Sequence, residues 1–191
     1  DKAKVLSEEF GEACTFFYTD VTSEQSINEA LTSVISKYQF INLLVNCAGI
    51  GIASKVIGKE ELHDSNIFKK IINVNLVGTF NVLKLVAEKM IENQPDEDNF
   101  RGVIINTASI AAFDGQIGQA AYSASKGGIV SLTLPLAREF ARYGVRVCTI
   151  APGLFETPMM SGLPEKAYQA LVDSTLFPKR LGHPKEFAKL V

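Results

Sequence analysis

An α/β fold built on a parallel sheet is what the 191 residues predict, and three observations predict it. Residues 41–45, 102–108 and 145–150 are short apolar runs with the length and branched content of buried strands. Each ends in a turn of small or polar residues: Asn46-Cys47-Ala48-Gly49, then Ser109, then Ala151-Pro152-Gly153. Helical patterns separate the runs, and strands alternating with helices require a parallel sheet with crossover connections.

Taken in order, residues 1–11 read as the tail of a helix and residues 15–19 as a strand. Asp20-Val21-Thr22-Ser23 follows as a turn and helix N-cap, ahead of a helix over 24–38. Residues 66–93 are predicted as one long helix, with Ile67, Ile71, Val74, Gly78, Val82 and Leu85 at three- and four-residue steps. Ile72, Leu76, Phe80 and Leu83 make a second face apolar, which calls for a second partner surface. Another helix carries Ile129, Leu132, Leu136 and Phe140, with Gly127 and Gly128 permitting close packing and Pro135 expected to bend it. Residues 159–177, with Ser161, Gly162 and Pro164 among apolar neighbours, suit either a lid over a substrate or a structural helix pair.

Composition fits one globular unit, with 47% apolar and 21% charged residues. A net charge of -2 supplies no basic field for nucleic acid. No apolar run is expected to cross a bilayer, and neither repeats nor linkers divide the chain, so residues 1–191 are taken as a single domain. Cys14, Cys47 and Cys148 are odd in number, widely spaced and set in apolar strand-like contexts, which suits reduced buried thiols. His63 and His183 stand apart from them, and no metal site is expected.

The chemistry concentrates in Ser109, Tyr122 and Lys126. On a helix, Tyr122 and Lys126 at i and i+4 share a face, so a phenol and an ammonium meet in one small site. Bringing a tyrosine pKa from near 10 to about 7 takes roughly 4 kcal/mol. A lysine cation about 5 Å away supplies roughly 3 kcal/mol at an effective dielectric of about 20, and a second positive charge would supply the rest. A Tyr-x-x-x-Lys pair alone is an ordinary helix-surface feature. Its company here is a small-residue turn at the carboxyl end of a buried strand, where Ala48 and Gly49 leave room for a ligand against the backbone.

Asp20, Asn46-Cys47-Ala48-Gly49, Asn75, Ser109, Tyr122-x-x-x-Lys126 and Pro152-Gly153 stand in the order and spacing of a short-chain dehydrogenase/reductase, and the resemblance runs through nearly the whole chain. It implies a Rossmann-like doubly wound parallel sheet. It also implies hydride transfer between a nicotinamide cofactor, NAD or NADP, and a secondary alcohol or ketone. By resemblance Asp20 and Val21 contact the adenine, Asn46 to Gly49 line the cofactor, and Pro152, Gly153, Phe155 and Thr157 meet the nicotinamide end. Ser109 holds the substrate oxygen, Tyr122 passes the proton, Lys126 tunes Tyr122 and holds the ribose, and Asn75 completes a water relay; Gln116 and Gln119 border the substrate pocket. For Asp20 a plain capping role, and for Asn75 a buried amide serving the backbone, are the structural alternatives.

Within that family, residues 101–109, 115–128 and 150–158 and the polar insert 93–99 look closest to mitochondrial, homotetrameric members acting on 3-hydroxyacyl-CoA or steroid substrates. A generic NADPH-dependent 3-oxoacyl thioester reductase and an inactive scaffold subunit are the competing readings. The family's first two strands, its glycine-rich phosphate turn and its last strand are expected to lie outside these residues. Because the first strand is central in the family, the 191 residues alone are expected to be marginal or insoluble, a truncated product or part of a longer protein.

Overall fold

The computed structural model describes residues 2–161 and 164–191. The expectations placed on Asp1 and Gly162 lie outside the described residues, as does that on the side chain of Ser161.

Three strands form the sheet: β1 (Leu43–Asn46), β2 (Gly102–Thr107) and β3 (Val145–Ile150). They lie side by side in chain order and all parallel. The helices before and between them are α1 (Lys2–Phe10), α2 (Glu24–Tyr38), α3 (Ser65–Ile72), α4 (Gly78–Ile91) and α5 (Ala120–Ala141). Beyond β3 come α6 (Pro158–Ser161), α7 (Glu165–Ser174) and α8 (Pro184–Ala188). The core lies between the sheet and α2, α4 and α5, where Ile27, Leu31, Leu83, Val86, Met90, Leu136 and Phe140 close on Ile104, Val145 and Val147.

Residues 15–19 are irregular rather than a strand. A strand needs a hydrogen-bonding neighbour, and among the described residues none runs beside this segment. Tyr18 is 82% exposed and Leu43, on β1, 46%. The helix expected over 66–93 exists as α3 and α4 joined by a π-helical turn over Asn73–Val77. As one stretch, Ser65–Ile91 is long and apolar enough to cross a membrane, contrary to the sequence reading. Its buried residues Ile71, Leu83, Val86 and Met90 are core, which accounts for that apolarity. Pro135 sits inside α5 without ending it. Pro135 and Ser131, whose carbonyl loses its helical donor, are both on the exposed side. The 159–177 segment contains the helices α6 and α7, and none of the described side chains of α7 is buried. All three thiols are free, but none is buried as expected: Cys14 and Cys148 are half-buried and Cys47 is exposed.

Gly144 turns the chain from α5 into β3 with φ +71°. A Cβ there would collide with the Asn99 carbonyl oxygen, while the Gly144 carbonyl accepts from Arg101 N at 2.8 Å. Gly144→Ala is therefore expected to destabilise the protein by about 1–3 kcal/mol, read as a lower denaturation midpoint.

Candidate active site

The strand register builds the floor of the site. Asn46 lies opposite Asn106, and Asn106 opposite Thr149, at the carboxyl ends of the three strands. Asn46 Nδ2 donates to Asn106 Oδ1 at 2.9 Å between two buried amides. That bond fixes the ends of β1 and β2 together, so the turn Cys47-Ala48-Gly49 leaves the sheet beside Thr107 and Ser109. Cys47 Sγ is 3.7 Å from Thr107 Oγ1.

The second wall comes from the π turn. Asn75 is fully buried there. Its Oδ1 accepts from Ile50 N at 2.8 Å, and its Nδ2 donates to Ile50 O at 2.9 Å and to Ser125 Oγ at 3.0 Å. The amide thus pins the turn after β1 to α5, and the structural reading of Asn75 holds whatever else it does. Irregular turns of this kind recur at functional sites because they re-aim backbone groups. Here the Asn75 carbonyl accepts from Thr79 Oγ1 at 2.7 Å.

Helix α5 carries Tyr122 and Lys126. Gly128 lets it press on the π turn, since a Cβ there would meet Leu76 Cδ2 at 2.7 Å. Lys126 is only 6% exposed, its Nζ donates to Thr107 O at 2.7 Å, and it stands 5.7 Å from the centre of the Tyr122 ring. Ser109 closes β2 in extended backbone, and its Oγ accepts from Ala111 N at 3.1 Å. Burial pushes the Tyr122 phenol above its ordinary pKa, with the Ser109 hydrogen bond pulling the other way. Burial likewise lowers Lys126 to about 8, opposed by the nearby Cys47 thiol. Lys126 is therefore not what sets the Tyr122 phenol here, contrary to expectation. In the chain alone desolvation of both groups prevails, because each loses water and neither gains a full counter-charge.

The remaining expected residues divide. Pro152 O accepts from Ile110 N at 3.0 Å, which brings the turn after β3, with Gly153, against the Ser109 segment. Val21 packs on α4, where a Cβ on Gly78 would meet its Cγ2 at 2.6 Å. Asp20 does not cap α2; Ser23 does, accepting from Ser26 N. Asp20 instead holds the preceding turn, its Oδ1 accepting from Thr22 N at 2.9 Å and Thr22 Oγ1 at 2.7 Å. Phe155 turns away toward the end of the chain, pairing edge-on with Phe187 at 6.1 Å and covering Gly182. Thr157 is exposed just before α6. Gln119 uses its Oε1 on Gln116 N at 2.9 Å, shaping the approach to α5 while Gln116 stays exposed. Sequence reasoning missed Ser125 and the Thr107 carbonyl. Ser125 is a polar residue on the inner side of a helix, three residues after Tyr122 and one before Lys126, and that position was its signal.

The short chain dehydrogenase family profile matches residues 1–167. The chain is 54% identical to the 3-hydroxyacyl-CoA dehydrogenase type-2 of Bos taurus over 187 residues, covering 97% of this chain and 72% of that protein. A 3-oxoacyl-(acyl-carrier-protein) reductase of Thermotoga maritima is 38% identical over 176 residues, 92% of this chain and 67% of its own. The crystal structure of a 3-hydroxyacyl-CoA dehydrogenase type-2 from Mycobacterium avium superposes with a TM-score of 0.92 at 39% identity, over 99% of this chain and 74% of that one. The parallel sheet is thus that of a Rossmann-like fold, and with the site assembled at its strand ends the chain belongs to the short-chain dehydrogenase family and is an oxidoreductase.

Proposed function

We propose that this protein interconverts a secondary alcohol and a ketone with NAD, acting on 3-hydroxyacyl-CoA thioesters and on hydroxysteroids. The observation that carries the reading is one buried ammonium, Lys126, held beside the Tyr122 phenol at the end of β2 with Ser109 as the third member. The substrate class is supported by the likeness to the bovine relative.

The residues present fit a nicotinamide cofactor. Gly49 leaves a cradle that a Cβ would fill, at 3.4 Å from Asn75 Oδ1 and 3.7 Å from Lys126 Nζ. Asp20 and Val21 would hold the adenine end, Asn46, Cys47, Ala48 and Gly49 the middle, Tyr122 and Lys126 the ribose, and Pro152, Gly153 and Thr157 the nicotinamide end, where Phe155 would contribute only its backbone. When bound, the cofactor supplies the carbon that takes or gives the hydride.

In the oxidising direction Tyr122 takes the alcohol proton while the carbinol hydrogen leaves as hydride. Ser109, which accepts from Ala111 N and hydrogen-bonds the Tyr122 phenol in the chain alone, turns its O–H to the substrate oxygen as charge develops. Lys126 favours the phenolate, and Asn75 orders a water that carries the proton from Lys126 to solvent. Gln116, Ser109 and Tyr122 face the substrate. A homotetramer and a mitochondrial role in lipid metabolism belong to the same proposal. An open groove of ≈ 550 Å³ lined by Phe68, Ile72 and Val77 together with Lys69, Lys70 and Asn73 would offer a mixed apolar and basic surface to a second copy.

The test is turnover of acetoacetyl-CoA with NADH against NADPH, and of the matching carrier-protein thioester. Reduction of the CoA ester with NADH is expected. Reduction confined to the carrier-protein thioester with NADPH would identify the reductase reading, which the Thermotoga relative favours. A folded protein that binds NADH and reduces neither would be a scaffold.

A further inference from the structure

We propose that Ser125 is a positioning residue of this site: its hydroxyl clamps the turn of α5 that carries Tyr122 onto the amide of Asn75, and so sets the phenol against Lys126. The inference rests on the reading above that Tyr122 moves the proton.

The hydrogen bonds leave the hydroxyl no choice. Ser125 is fully buried in the interior of α5. Its Oγ donates to Tyr122 O at 2.7 Å, so toward Asn75 it presents only lone pairs, and Asn75 Nδ2 donates to it at 3.0 Å. The other edge of the same amide is fixed, because Ile50 N needs an acceptor and takes Asn75 Oδ1 at 2.8 Å. Flipping the amide would set Oδ1 against both Ile50 O and an oxygen whose proton is already committed. Ile50 thus sets the amide orientation at the π turn, and the serine, matching it with an acceptor, ties the amide to the turn of helix that begins at Tyr122.

Two contacts between α5 and the π turn then have separate tasks. Gly128 on Leu76 sets how close the helix comes. The Ser125 bond, one turn earlier, sets how the helix is rotated. Lys126 is anchored independently, by Nζ on Thr107 O of β2. Rotation of α5 consequently changes the distance from the phenol to the ammonium instead of carrying both along. Without the hydroxyl, the buried Nδ2–H of Asn75 loses its acceptor and the start of α5 is released from the π turn.

The titratable groups facing Tyr122 are Lys126 on its own helix and, beyond it, Cys47 at the end of β1. The side of β2 offers the Ser109 hydroxyl and the Thr107 carbonyl, and the π turn offers the Asn75 amide. A change at Ser125 thus reaches the phenol through its distance to one cation.

The test is the titration of the Tyr122 phenol carbon by NMR of protein labelled with 13C at tyrosine Cζ, with and without NAD, the resonance being assigned with Tyr122→Phe. Wild type, Ser125→Ala, Ser125→Thr and Ser125→Cys are compared. With NAD bound, where the added positive charge brings the phenol's titration down toward the range in which Lys126 is charged, the Ser125→Ala midpoint is expected to rise by about half a unit or more. kcat for alcohol oxidation is expected to fall about tenfold or more with KM nearly unchanged. Ser125→Thr, which keeps the hydroxyl, is expected to restore both. A folded Ser125→Ala protein that titrates like wild type overturns the proposal. If Ser125→Ala does not fold, the comparison passes to Ser125→Cys, which leaves no cavity and weakens the bond, and a wild-type midpoint there overturns it equally. Because the titration needs no turnover, an inactive wild type would defeat the functional reading while the clamp is still decided by the midpoints.

Discussion

Replacing Tyr122 with phenylalanine is expected to lower turnover by about 10²- to 10⁴-fold, the range in which a positioned acid–base group contributes, with NADH affinity close to wild type. The substitution removes one oxygen and leaves the scaffold. The ring remains for the Lys126 ammonium to face at 5.7 Å, and that ammonium keeps its bond to Thr107 O. What is lost is the atom that exchanges a proton with the substrate. Burial raises the phenol pKa in the chain alone, so at neutral pH the free site holds the proton. An oxidised, positively charged nicotinamide beside it would favour the phenolate, and the need for that second charge follows from the same Coulomb arithmetic that found one lysine insufficient. The expected pattern is therefore kcat reduced, KM little changed and NADH fluorescence titrations superimposable on wild type. Turnover near wild type would remove Tyr122 from the proton-transfer role and leave Ser109 or water to fill it.

What the sequence made legible and what it hid follow from the range of the forces involved. β2 is a largely buried run of branched apolar residues, and β1 and β3 share enough of that branched content to declare themselves even though Leu43 and Arg146 are exposed. Residues 15–19, aromatic and flanked by threonines, have the propensity of a strand without forming one, because pairing depends on a neighbour that no local pattern encodes. Asn75 was visible as an amide among apolar residues; the π turn around it was not. One extra residue in a turn shifts the helical phase too little to disturb an apolar stripe that already covers two faces. Tyr122 and Lys126 stood out since one helix turn joins them. The Lys126 anchor on Thr107 O spans the β2–α5 connection and uses a backbone carbonyl, which every residue has and no motif marks. Asp20 looked like a cap because aspartate before a helix usually is one, yet Ser23 is closer to the first turn and takes that place.

Lys126→Met is expected to give a protein that is more stable at pH 7 and catalytically dead. Folding buries the ammonium and lowers its pKa from 10.5 to about 8. Between those values the unfolded chain holds more protons than the folded one, so wild-type stability rises as pH climbs from 8 to 10.5. Below pH 8 both states carry the charge and the burial penalty is present in full, about 3 kcal/mol. Methionine has a similar length and no charge to desolvate. It forfeits the bond to Thr107 O, which leaves a half-buried carbonyl at a cost of about 1–2 kcal/mol. The net gain at pH 7 is about 1–2 kcal/mol, and denaturant titrations should show it shrink and reverse as pH passes through the 8 to 10.5 window. A variant less stable than wild type at pH 7 would mean that the Thr107 bond outweighs the desolvation. The predicted sign has a functional meaning. An ammonium that only held α5 to β2 would be replaceable at a gain, so its presence at 6% exposure has to be explained by what it faces. It faces a phenol and an open cradle at Gly49, where a buried cation holds a ligand hydroxyl and favours a phenolate more strongly than an exposed one, because solvent screens it less.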